Sequence, residues 1–472
     1  MRTLLVRPFV DATSGISPPL SLMYLSSYLK SKQQDVRVID SCVDKRSIND
    51  FSVRNPCIQD LVENIKAYDP DIIGMTLFSG ELKEVAVLCK ILKSELKSVL
   101  IVLGGPHPTA MPKQTMEQIP ECDFAARGEG ELILYDLIAA LSNDENLQNI
   151  RGISFRLKGK NEVYHCEDAD IITQLDTLPF PDRGGLIHNY RNNTYSSVVH
   201  GMPSDILMTS RGCPFQCSFC FKVCAKYRNR SSENVIKEID WIIENISPEC
   251  IQIMDDSFTI RRSRCIEILD VLIEKKYPCK FKVRSRVDAV DKELLRKMKE
   301  AGVDTIVYGL ESGSQTMLNT FNKKTTVGQN ISACKLTREA GLNCLGDMIL
   351  FYPGETRETL KETERFIKRA KPTAVKFYLL TPLPSTKVYE EVKNNGRLVG
   401  GWGVSEESPW VKLDEFKNLE EMQRIVKWML IKTILSPRTI FWIVKVYSKA
   451  FMKRPIFTIK MAISVLLKKG KY

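Results

Sequence analysis

The sequence lacks a long apolar run. No stretch of about 18 residues is free of polar side chains, so we predict no transmembrane helix. Residues 1–4 lead directly into a strand-like pattern, and no signal peptide is expected. The fourteen cysteines show no paired spacing outside residues 213–224, which argues against a secreted disulfide framework. We therefore expect a protein of the reducing cytoplasm.

Acidic residues are missing from the tail. None follows Glu421, whereas residues 422–472 contain twelve Lys or Arg. Residues 1–421 contain the other 56 of the 68 basic residues and all 57 acidic ones, so this part is nearly neutral. The tail, residues 422–472, therefore carries the net charge of +11. Apolar stretches at 428–431, 440–444 and 463–467 alternate with this charge. Basic amphipathic helices of this kind suit peripheral contact with an anionic membrane.

The C-terminal region as a whole, residues 401–472, has two alternative roles that stay open. Its helices can instead form a subdomain that caps the preceding domain, with the basic residues merely solvated. Nucleic acid is a less favoured partner, because the basic residues alternate with long aliphatic ones.

Three cysteines are grouped on one short stretch. Cys213, Cys217 and Cys220 have a C-x3-C-x2-C spacing and follow a strand-like run at 206–209. Gly212 and Pro214 break regular structure, so the three thiols are expected on a single loop. Three thiolates bind a metal or an iron–sulfur cluster and leave one position open, as catalysis requires.

Cys224 would extend this series to a fourth thiolate. A closed site of four ligands would be structural zinc or an electron-transfer cluster. The residues that follow argue for a larger catalytic domain, so we interpret Cys224 as a small packed residue at a helix start.

Strand-like and helical patterns alternate after the cysteine loop. Together with 206–209, strands are predicted at 250–254, 281–284, 305–308, 348–351 and 374–377, and helices at 232–246, 262–275, 292–301, 327–340 and 357–370. Six such βα units predict a partial (β/α)6 barrel over residues 201–400, with its chemistry at the carboxyl ends of the strands. Polar residues follow these ends, namely Asp256, Ser285, Arg286, Glu311 and Ser312. Helix capping is the alternative role for them.

Residues 1–145 show an earlier set of βα units. Strands at 3–6, 36–40, 71–76 and 99–103 alternate with helices at 20–30, 59–68 and 81–96, which predicts an open, doubly wound parallel sheet. Such sheets bind ligands beyond the carboxyl ends of their strands. The loops there contain the candidate binding residues Thr76, Ser79, Gly104, Gly105, His107, Gly128 and Glu129. Plain turn chemistry is the alternative for these glycines.

Residues 146–200 connect the two domains. A β-hairpin is predicted around Lys158 and Lys160, followed by a stiff Pro-rich linker at 178–183. His165, His188 and His200 are isolated, and we interpret each as a surface or packed residue.

Residues 1–145 resemble the Rossmann-like cobalamin-binding domain that precedes many radical S-adenosylmethionine (SAM) enzymes. The resemblance rests on the runs at 19–25, 69–74, 104–107 and 127–131. The D-x-H-x-x-G motif, which supplies an axial histidine in other cobalamin proteins, is absent. The resemblance therefore implies cobalamin without a histidine below cobalt, and His107 would be a loop residue near the ligand or a turn residue.

The second domain resembles the radical SAM superfamily. The resemblance rests on the cysteine triad with Phe219 before its last member. The runs at 255–258, 311–314 and 353–356 are similar to its cobalamin-dependent branch. Phe351 departs from the glycine that this family usually has before Pro-Gly-Glu-Thr, and we expect it to reshape the pocket without affecting the cluster.

The resemblance implies a set of cofactors and a reaction. Cys213, Cys217 and Cys220 would bind three irons of a [4Fe-4S] cluster, and SAM would chelate the fourth; the other residues named at the strand ends would contact SAM. An electron, from a flavodoxin- or ferredoxin-type donor, would cleave SAM to a deoxyadenosyl radical. Methylation of an unactivated carbon through methylcobalamin is the expected outcome, on a small-molecule or lipid-like substrate; no catalytic residue is assigned.

Two other functions stay open. One is a radical SAM cyclase or oxidative enzyme without methyl transfer. The other is a sensor or scaffold that binds metal or cobalamin without catalysis. A tRNA methylthiotransferase is less favoured, because the N-terminal region lacks a second cysteine triad.

Overall fold

The computed structural model describes residues 1–10, 16–45, 48, 50–157, 162–197, 202–224 and 226–453. Two seven-stranded sheets with flanking helices make up the architecture. The predicted fold class, an open parallel sheet followed by a partial barrel and a helical C-terminal region, is confirmed.

The first sheet is built from seven strands: β1 (Thr3–Val10), β2 (Val36–Asp44), β3 (Ile72–Thr76), β4 (Leu100–Gly104), β5 (Phe124–Ala126), β6 (Ile153–Arg156) and β7 (Val163–His165). Its helices are α1 (Leu20–Ser31), α2 (Pro56–Tyr68), α3 (Leu82–Glu95), α4 (Pro106–Ala110), α5 (Pro112–Gln118) and α6 (Gly130–Asn143). The spatial order is β2-β1-β3-β4-β5-β6-β7, with β1 to β5 parallel. The order reverses between β1 and β3, where such folds bind ligands beyond the strand ends.

Local sequence explains these elements. Leu4, Leu5 and Val6 of β1 are all buried, as expected of a parallel strand covered on both faces. Helix α2 begins where the Asn55 side chain accepts a hydrogen bond from the Cys57 amide, and it ends at Asp69 in the left-handed conformation.

The connecting segment contributes to both sheets. Strands β6 and β7 pair antiparallel and extend the first sheet, whereas the predicted turn at 158–160 lies outside the described residues. The Pro-rich stretch ends at Arg183, whose fully buried guanidinium pairs with Asp205 at 2.5 Å and Glu238 at 2.8 Å. The neighbouring Asp182 accepts from Ser26 and Lys30 of α1, both at 2.6 Å, so this stretch is bonded to both domains.

The remaining strands are β8 (Ser196–Ser197), β9 (Met202–Leu207), β10 (Ser210–Arg211), β11 (Arg228–Asn229), β12 (Cys250–Ile253), β13 (Lys280–Ser285), β14 (Val303–Glu311), β15 (Asn343–Leu350), β16 (Ala374–Leu379), β17 (Leu398–Val399) and β18 (Trp410–Val411). The remaining helices are α7 (Ile187–Arg191), α8 (Ser232–Asn245), α9 (Arg262–Lys275), α10 (Lys292–Glu300), α11 (Gln315–Thr320), α12 (Val327–Glu339), α13 (Arg357–Ala370), α14 (Lys387–Asn394), α15 (Leu419–Ile434) and α16 (Pro437–Lys453).

The second sheet has the order β16-β15-β14-β13-β12-β9-β8, and all its neighbours except β8 and β9 are parallel. All six predicted barrel strands are present. The predicted helices are found at α8, α9, α10, α12 and α13. The ribbons β10-β11 and β17-β18 lie outside this sheet.

The C-terminal helix α15 packs against the barrel, since Met422, Val426 and Met429 belong to its core. Its other face and the start of α16 are apolar and exposed, with Leu435 at 64% and Phe441 at 70%. The inner face of α15 therefore caps the barrel, as one of the two alternatives for this region predicts. The stretch at 463–467 lies outside the described residues. Among the helices that the structure describes, none has both the length and the apolar character needed to span a membrane.

Candidate active site

The cysteine triad lies on a single loop, as predicted, and the two strands that flank this loop, β10 and β11, pair with each other. All fourteen cysteines of the chain are free thiols, and Cys213, Cys217 and Cys220 are partly or fully accessible. The loop turns at Gly212, where φ is +81° and a side chain would meet the Lys226 carbonyl oxygen at 2.3 Å. Only glycine fits this approach of two backbone segments.

The start of the loop is held by Asp255. Its carboxylate accepts hydrogen bonds from Thr209 N and Oγ1, at 2.6 and 2.5 Å, and from Ser210 N and Oγ, at 3.1 and 2.7 Å. Asp255 was not among the predicted residues; the available signal was its position directly after a strand of the barrel.

The middle of the loop is held from two sides. The Ser218 amide donates to the Phe321 carbonyl at 3.0 Å, and Tyr352 Oη donates to Ser218 Oγ at 2.7 Å. Phe219 packs edge-on against Phe321 at 5.7 Å. Phe219 is therefore placed by core packing.

The thiols fit an iron–sulfur cluster. Burial raises the pKa of Cys220 to about 11, with smaller contributions from the neighbouring Asp256, Cys217 and Cys213. Metal ligation has the opposite effect, since it stabilises the thiolate. Among the described residues, no group of three Cys, His, Asp or Glu side chains is placed so that it could hold a single metal ion. A cluster needs a wider arrangement, because each thiolate binds a different iron.

Cys224 has a different environment from the one we predicted. No helix begins there: the chain continues to β11, and α8 begins only at Ser232, where Ser231 accepts from the Asn234 amide. Cys224 lies in the loop with its sulfur 3.8 Å from the Lys226 carbonyl oxygen. The predicted helix start was wrong because a good N-cap lies further along the chain.

Arg286 is already engaged in the structure. Its guanidinium donates to Asp288 at 2.9 and 2.8 Å and to the Lys323 carbonyl at 3.0 Å. It also lies 3.7 Å from the ring centre of Phe215 in the cysteine loop. Arg286 thereby braces this loop against the barrel.

The two serines predicted to contact SAM are buried and bonded within the protein. Ser285 Oγ lies 2.6 Å from Thr259 Oγ1. Ser312 Oγ accepts from the Ser314 amide at 3.1 Å, beside Thr363 of α13. Asp256, by contrast, is exposed at the carboxyl end of β12. A role for these residues in SAM binding stays a prediction.

Glu311 occupies the carboxyl end of β14 with a left-handed φ of +58°. Its carboxylate forms a buried ion pair with Lys323 Nζ at 2.7 Å. Burial works against the charge of Lys323, but Glu311 raises its pKa above the ordinary value. The pair brings one anionic and one cationic side chain to the barrel mouth.

Phe351, which we expected to reshape the pocket, lies with its side chain in the core. It has a left-handed φ of +66°, which explains why a glycine suits this position. Its ring is buried in the outer core and packs edge-on against Phe416 at 5.0 Å. The backbone conformation directs the side chain into the core.

A cavity of about 340 Å³ lies where the first sheet faces the barrel. Five predicted residues line it: Thr76, Gly104, Gly105, Gly128 and Glu129. Met208, Arg211 and Val223 complete it from the barrel side. At Gly128, with φ of +99°, an added Cβ would meet nothing within 4 Å. Where glycines form the wall, a large planar ligand can approach the backbone, so these residues fit a corrin.

His107 and Ser79 do not line this cavity. His107 Nδ1 lies 2.9 Å from Ser79 Oγ, and the histidine is fully buried in α4. Burial lowers the pKa of His107 to about 4, so its ring is neutral. Its Nε2 has no hydrogen-bond partner among the described residues. Of the other histidines, His165 bonds to Ser154 and His188 to Asn192, whereas His200 lies outside the described residues.

Fold and site together define a radical SAM enzyme with a cobalamin-binding domain. Residues 6–138 match the family model described as B12 binding domain, and residues 207–367 match the Radical SAM superfamily. An uncharacterized methyltransferase of Pyrococcus horikoshii is 32% identical over 481 residues, covering 99% of this chain and 98% of the relative. The chain belongs to this family of B12-binding radical SAM enzymes, whose domains imply cobalamin, a [4Fe-4S] cluster and SAM as cofactors.

Two further proteins are similar. The anaerobic magnesium-protoporphyrin IX monomethyl ester cyclase of Cereibacter sphaeroides is 32% identical over 408 residues, covering 84% of this chain and 64% of the cyclase. The solved structure of the cobalamin-dependent SAM radical enzyme OxsB, with aqua-cobalamin and SAM bound, has a TM-score of 0.70 at 22% identity. The superposition covers 98% of this chain and 74% of OxsB, and the two proteins share the fold.

Proposed function

We propose that the protein methylates an unactivated carbon of its substrate, with SAM as the source of the methyl group. One observation carries this proposal: the glycine-lined cavity and the cysteine loop are adjacent. Arg211 lines the cavity and lies two residues before Cys213 in the chain. The bound cofactors would supply a radical that removes hydrogen from carbon and a methyl group that replaces it. A substrate between them would meet both.

The residues of this chain have separate parts in this proposal. Cys213, Cys217 and Cys220 hold the cluster. The Glu311–Lys323 pair would present opposite charges to the amino and carboxylate groups of SAM. The first domain, whose cavity is completed by Met208, Arg211 and Val223, would help to exclude water from reactive species.

Anaerobic reconstitution tests the proposal. The wild type should form deoxyadenosine from SAM, and the product should gain the mass of one CH2. Cys213→Ala should lose iron, sulfide and SAM cleavage, whereas Cys224→Ala should retain all three. Absence of deoxyadenosine from the reconstituted wild type would leave a non-catalytic, metal- or cobalamin-binding sensor.

A radical cyclase or oxidative enzyme is the second candidate function. It is favoured by the similarity to the protoporphyrin ester cyclase described above. Product mass separates the two functions, because cyclisation or oxidation removes hydrogen and adds no CH2. In either case an external reductant, of the flavodoxin or ferredoxin type, would supply the electron.

We also propose that the C-terminal helices bring the enzyme to an anionic membrane and to a lipid-like substrate. Support comes from exposed apolar side chains on α15, at its end and on α16: Trp428, Ile431, Leu435, Ile440, Phe441 and Val444. Basic residues alternate with them, and no acidic residue follows Glu421.

Flotation with phosphatidylcholine vesicles, with and without phosphatidylglycerol, tests this contact. The wild type should float with the anionic vesicles only. Phe441→Glu should reduce flotation, whereas Val53→Glu, a similar change at an exposed residue of the first domain, should not. Equal flotation of both variants, or none by the wild type, would refute the proposal.

A further inference from the structure

A cleft of about 360 Å³ lies away from the site described above, between α13, α15 and the start of α16; we call it the C-terminal cleft. Four cationic side chains line it: Lys368, Lys371, Lys432 and Arg438. Glu364 is the one acidic residue among its described lining residues. Four cations and one carboxylate give the C-terminal cleft a net charge of +3.

The single carboxylate is shared by two of these cations. Glu364 Oε1 accepts from Lys432 Nζ at 2.9 Å and lies 3.2 Å from Lys368 Nζ. Arg438 instead donates to a neutral acceptor, the Lys371 carbonyl, at 2.6 Å. Among the described residues, the exposed Lys371 side chain has no acidic partner. Two cations of the C-terminal cleft are therefore not paired with a carboxylate.

The backbone adds to this positive charge. Helix α16 begins at Pro437, and Ser436, Pro437 and Arg438 all line the C-terminal cleft. The amino end of a helix carries partial positive charge and favours an anion. Burial, and then the nearby Arg338, lowers the pKa of Arg438 below its ordinary value. An anion in the C-terminal cleft would offset this repulsion.

Apolar side chains border the C-terminal cleft. Trp428 lines it and is 48% exposed, and Lys432 Nζ lies 3.5 Å from the centre of the Trp428 ring. Ile431 and Leu435 follow at intervals of three and four residues, so they lie on the same side of α15 and its end, and both are exposed. Tryptophan beside lysine is typical of a membrane interface. A ligand with an anionic group and hydrocarbon chains would therefore meet both surfaces.

Other occupants fit less well. Residues 454–472 contain five Lys or Arg and no Asp or Glu, so they offer the C-terminal cleft no acidic side chain. Nucleic acid would supply phosphates but would leave the aliphatic Ile431 and Leu435 exposed to water. An amphiphile covers these side chains as well as the cations.

We infer that the C-terminal cleft binds the phosphate headgroup of an anionic phospholipid, with the acyl chains beside α15 and the start of α16. This inference rests on the proposed membrane contact and deepens it by naming the site. A single headgroup site fixes how the enzyme is oriented on the bilayer, whereas dispersed charge does not.

Titration calorimetry of the reconstituted full-length enzyme with dihexanoyl phosphatidylglycerol, below its micelle concentration, tests the inference. We expect this soluble lipid to bind, dihexanoyl phosphatidylcholine not to bind measurably, and inorganic phosphate to bind more weakly. Lys371→Gln should weaken lipid binding about fivefold. Lys427→Gln removes the same charge from an exposed position of α15 outside the C-terminal cleft, and it should change nothing.

A second variant moves the affinity in the opposite direction. Glu364→Gln should strengthen lipid binding, because it removes the carboxylate that competes with the lipid for Lys432 and Lys368. Glu358→Gln, on the same helix but paired with Arg365 outside the C-terminal cleft, should leave binding unchanged. Thermal unfolding checks that each variant is folded.

Flotation of the wild type with anionic vesicles, without binding of the soluble lipid, would overturn this inference and leave the membrane contact standing. Equal affinities of Lys371→Gln and Lys427→Gln for the lipid would also overturn it. So would equal wild-type affinity for phosphatidylcholine or inorganic phosphate, or binding of single-stranded DNA in place of the lipid. Binding of the soluble lipid at the C-terminal cleft without flotation would instead refute the membrane contact and support the headgroup site.

Discussion

Arg211 Nη1 donates to Glu129 Oε1 at 2.9 Å, although the two residues lie 82 positions apart and in different domains. The other nitrogen, Nη2, donates to Glu131 at 2.6 Å, and Glu129 also accepts from Arg228 at 2.6 Å. Glu129 lines the cavity of the first domain, whereas Arg211 and Arg228 lie on the two strands that flank the cysteine loop. The cavity and the strands that flank the cysteine loop are therefore held together by ion pairs.

Glu129→Gln should destabilise the protein by about 3 kcal/mol at neutral pH, because it leaves the buried Arg228 guanidinium without its carboxylate partner and Arg211 with Glu131 alone. Burial opposes ionisation of Glu129, but Arg228 and Arg211 hold its pKa below the ordinary 4.5. Its contribution is therefore complete above pH 4.5 and lost as the pH falls through the native pKa.

Urea unfolding at neutral and acid pH measures this. The difference between wild type and Glu129→Gln should shrink in acid. Glu233→Gln, whose side chain is 77% exposed, is the control and should cost less than about 0.5 kcal/mol at either pH. A stability difference between wild type and Glu129→Gln that does not depend on pH would contradict the role of the ionised Glu129 carboxylate.

Gly128→Leu should weaken cobalamin binding at least tenfold, because its side chain would enter the cavity. The left-handed backbone adds a stability cost of about 1 kcal/mol. Gly396→Leu is a matched control: Gly396 also has a positive φ, of +69°, and open space around it, but it lies far along the chain in the barrel domain. Absorbance titration of both variants separates the two effects, and equal cobalamin affinity would contradict the cavity assignment.

Asp255→Asn should destabilise the protein by about 2–3 kcal/mol and lower its iron content. The amide would replace one acceptor oxygen by a donor that faces the hydroxyl and amide donors of Thr209 and Ser210. Asp256→Asn, at the exposed neighbouring position, should change the free energy of unfolding by less than about 0.5 kcal/mol. Denaturant unfolding and iron analysis measure both; equal losses would show that Asp255 has no special role.

Glu355→Gln should stabilise the protein at neutral pH. Burial raises the pKa of Glu355 to about 7, although Thr359 and the Phe351 amide donate to its oxygens. Between pH 4.5 and 7 the unfolded state ionises first, so this group lowers stability as the pH rises, by at most about 3 kcal/mol.

Unfolding free energies of wild type and Glu355→Gln should therefore coincide in acid and diverge towards neutral pH. Glu339→Gln, an exposed carboxylate on α12, is the charge control and should follow the wild type. A difference in unfolding free energy that stays constant across this pH range would show that Glu355 is not the group that titrates.

Much of the fold was predictable, because hydrophobic periodicity is local and strong. The runs at 250–254 and 374–377 proved to be β12 and β16 within a few residues. Short elements such as β5, with three residues, carry too little pattern to be recognised. The ribbon β10-β11 depends on pairing across the cysteine loop, which no local pattern reports.

The sequence by itself determined the two-domain order, the thiol loop and the glycines of the cavity, since spacing and composition encode local geometry. Only the tertiary structure decided which polar side chains were already paired. It brought Glu129 to Arg211, buried Ser312 beside Thr363 and directed Phe351 into the core. The physical reason is that charge pairing and burial act between residues distant in the chain, and their partners are chosen only when the sheets pack.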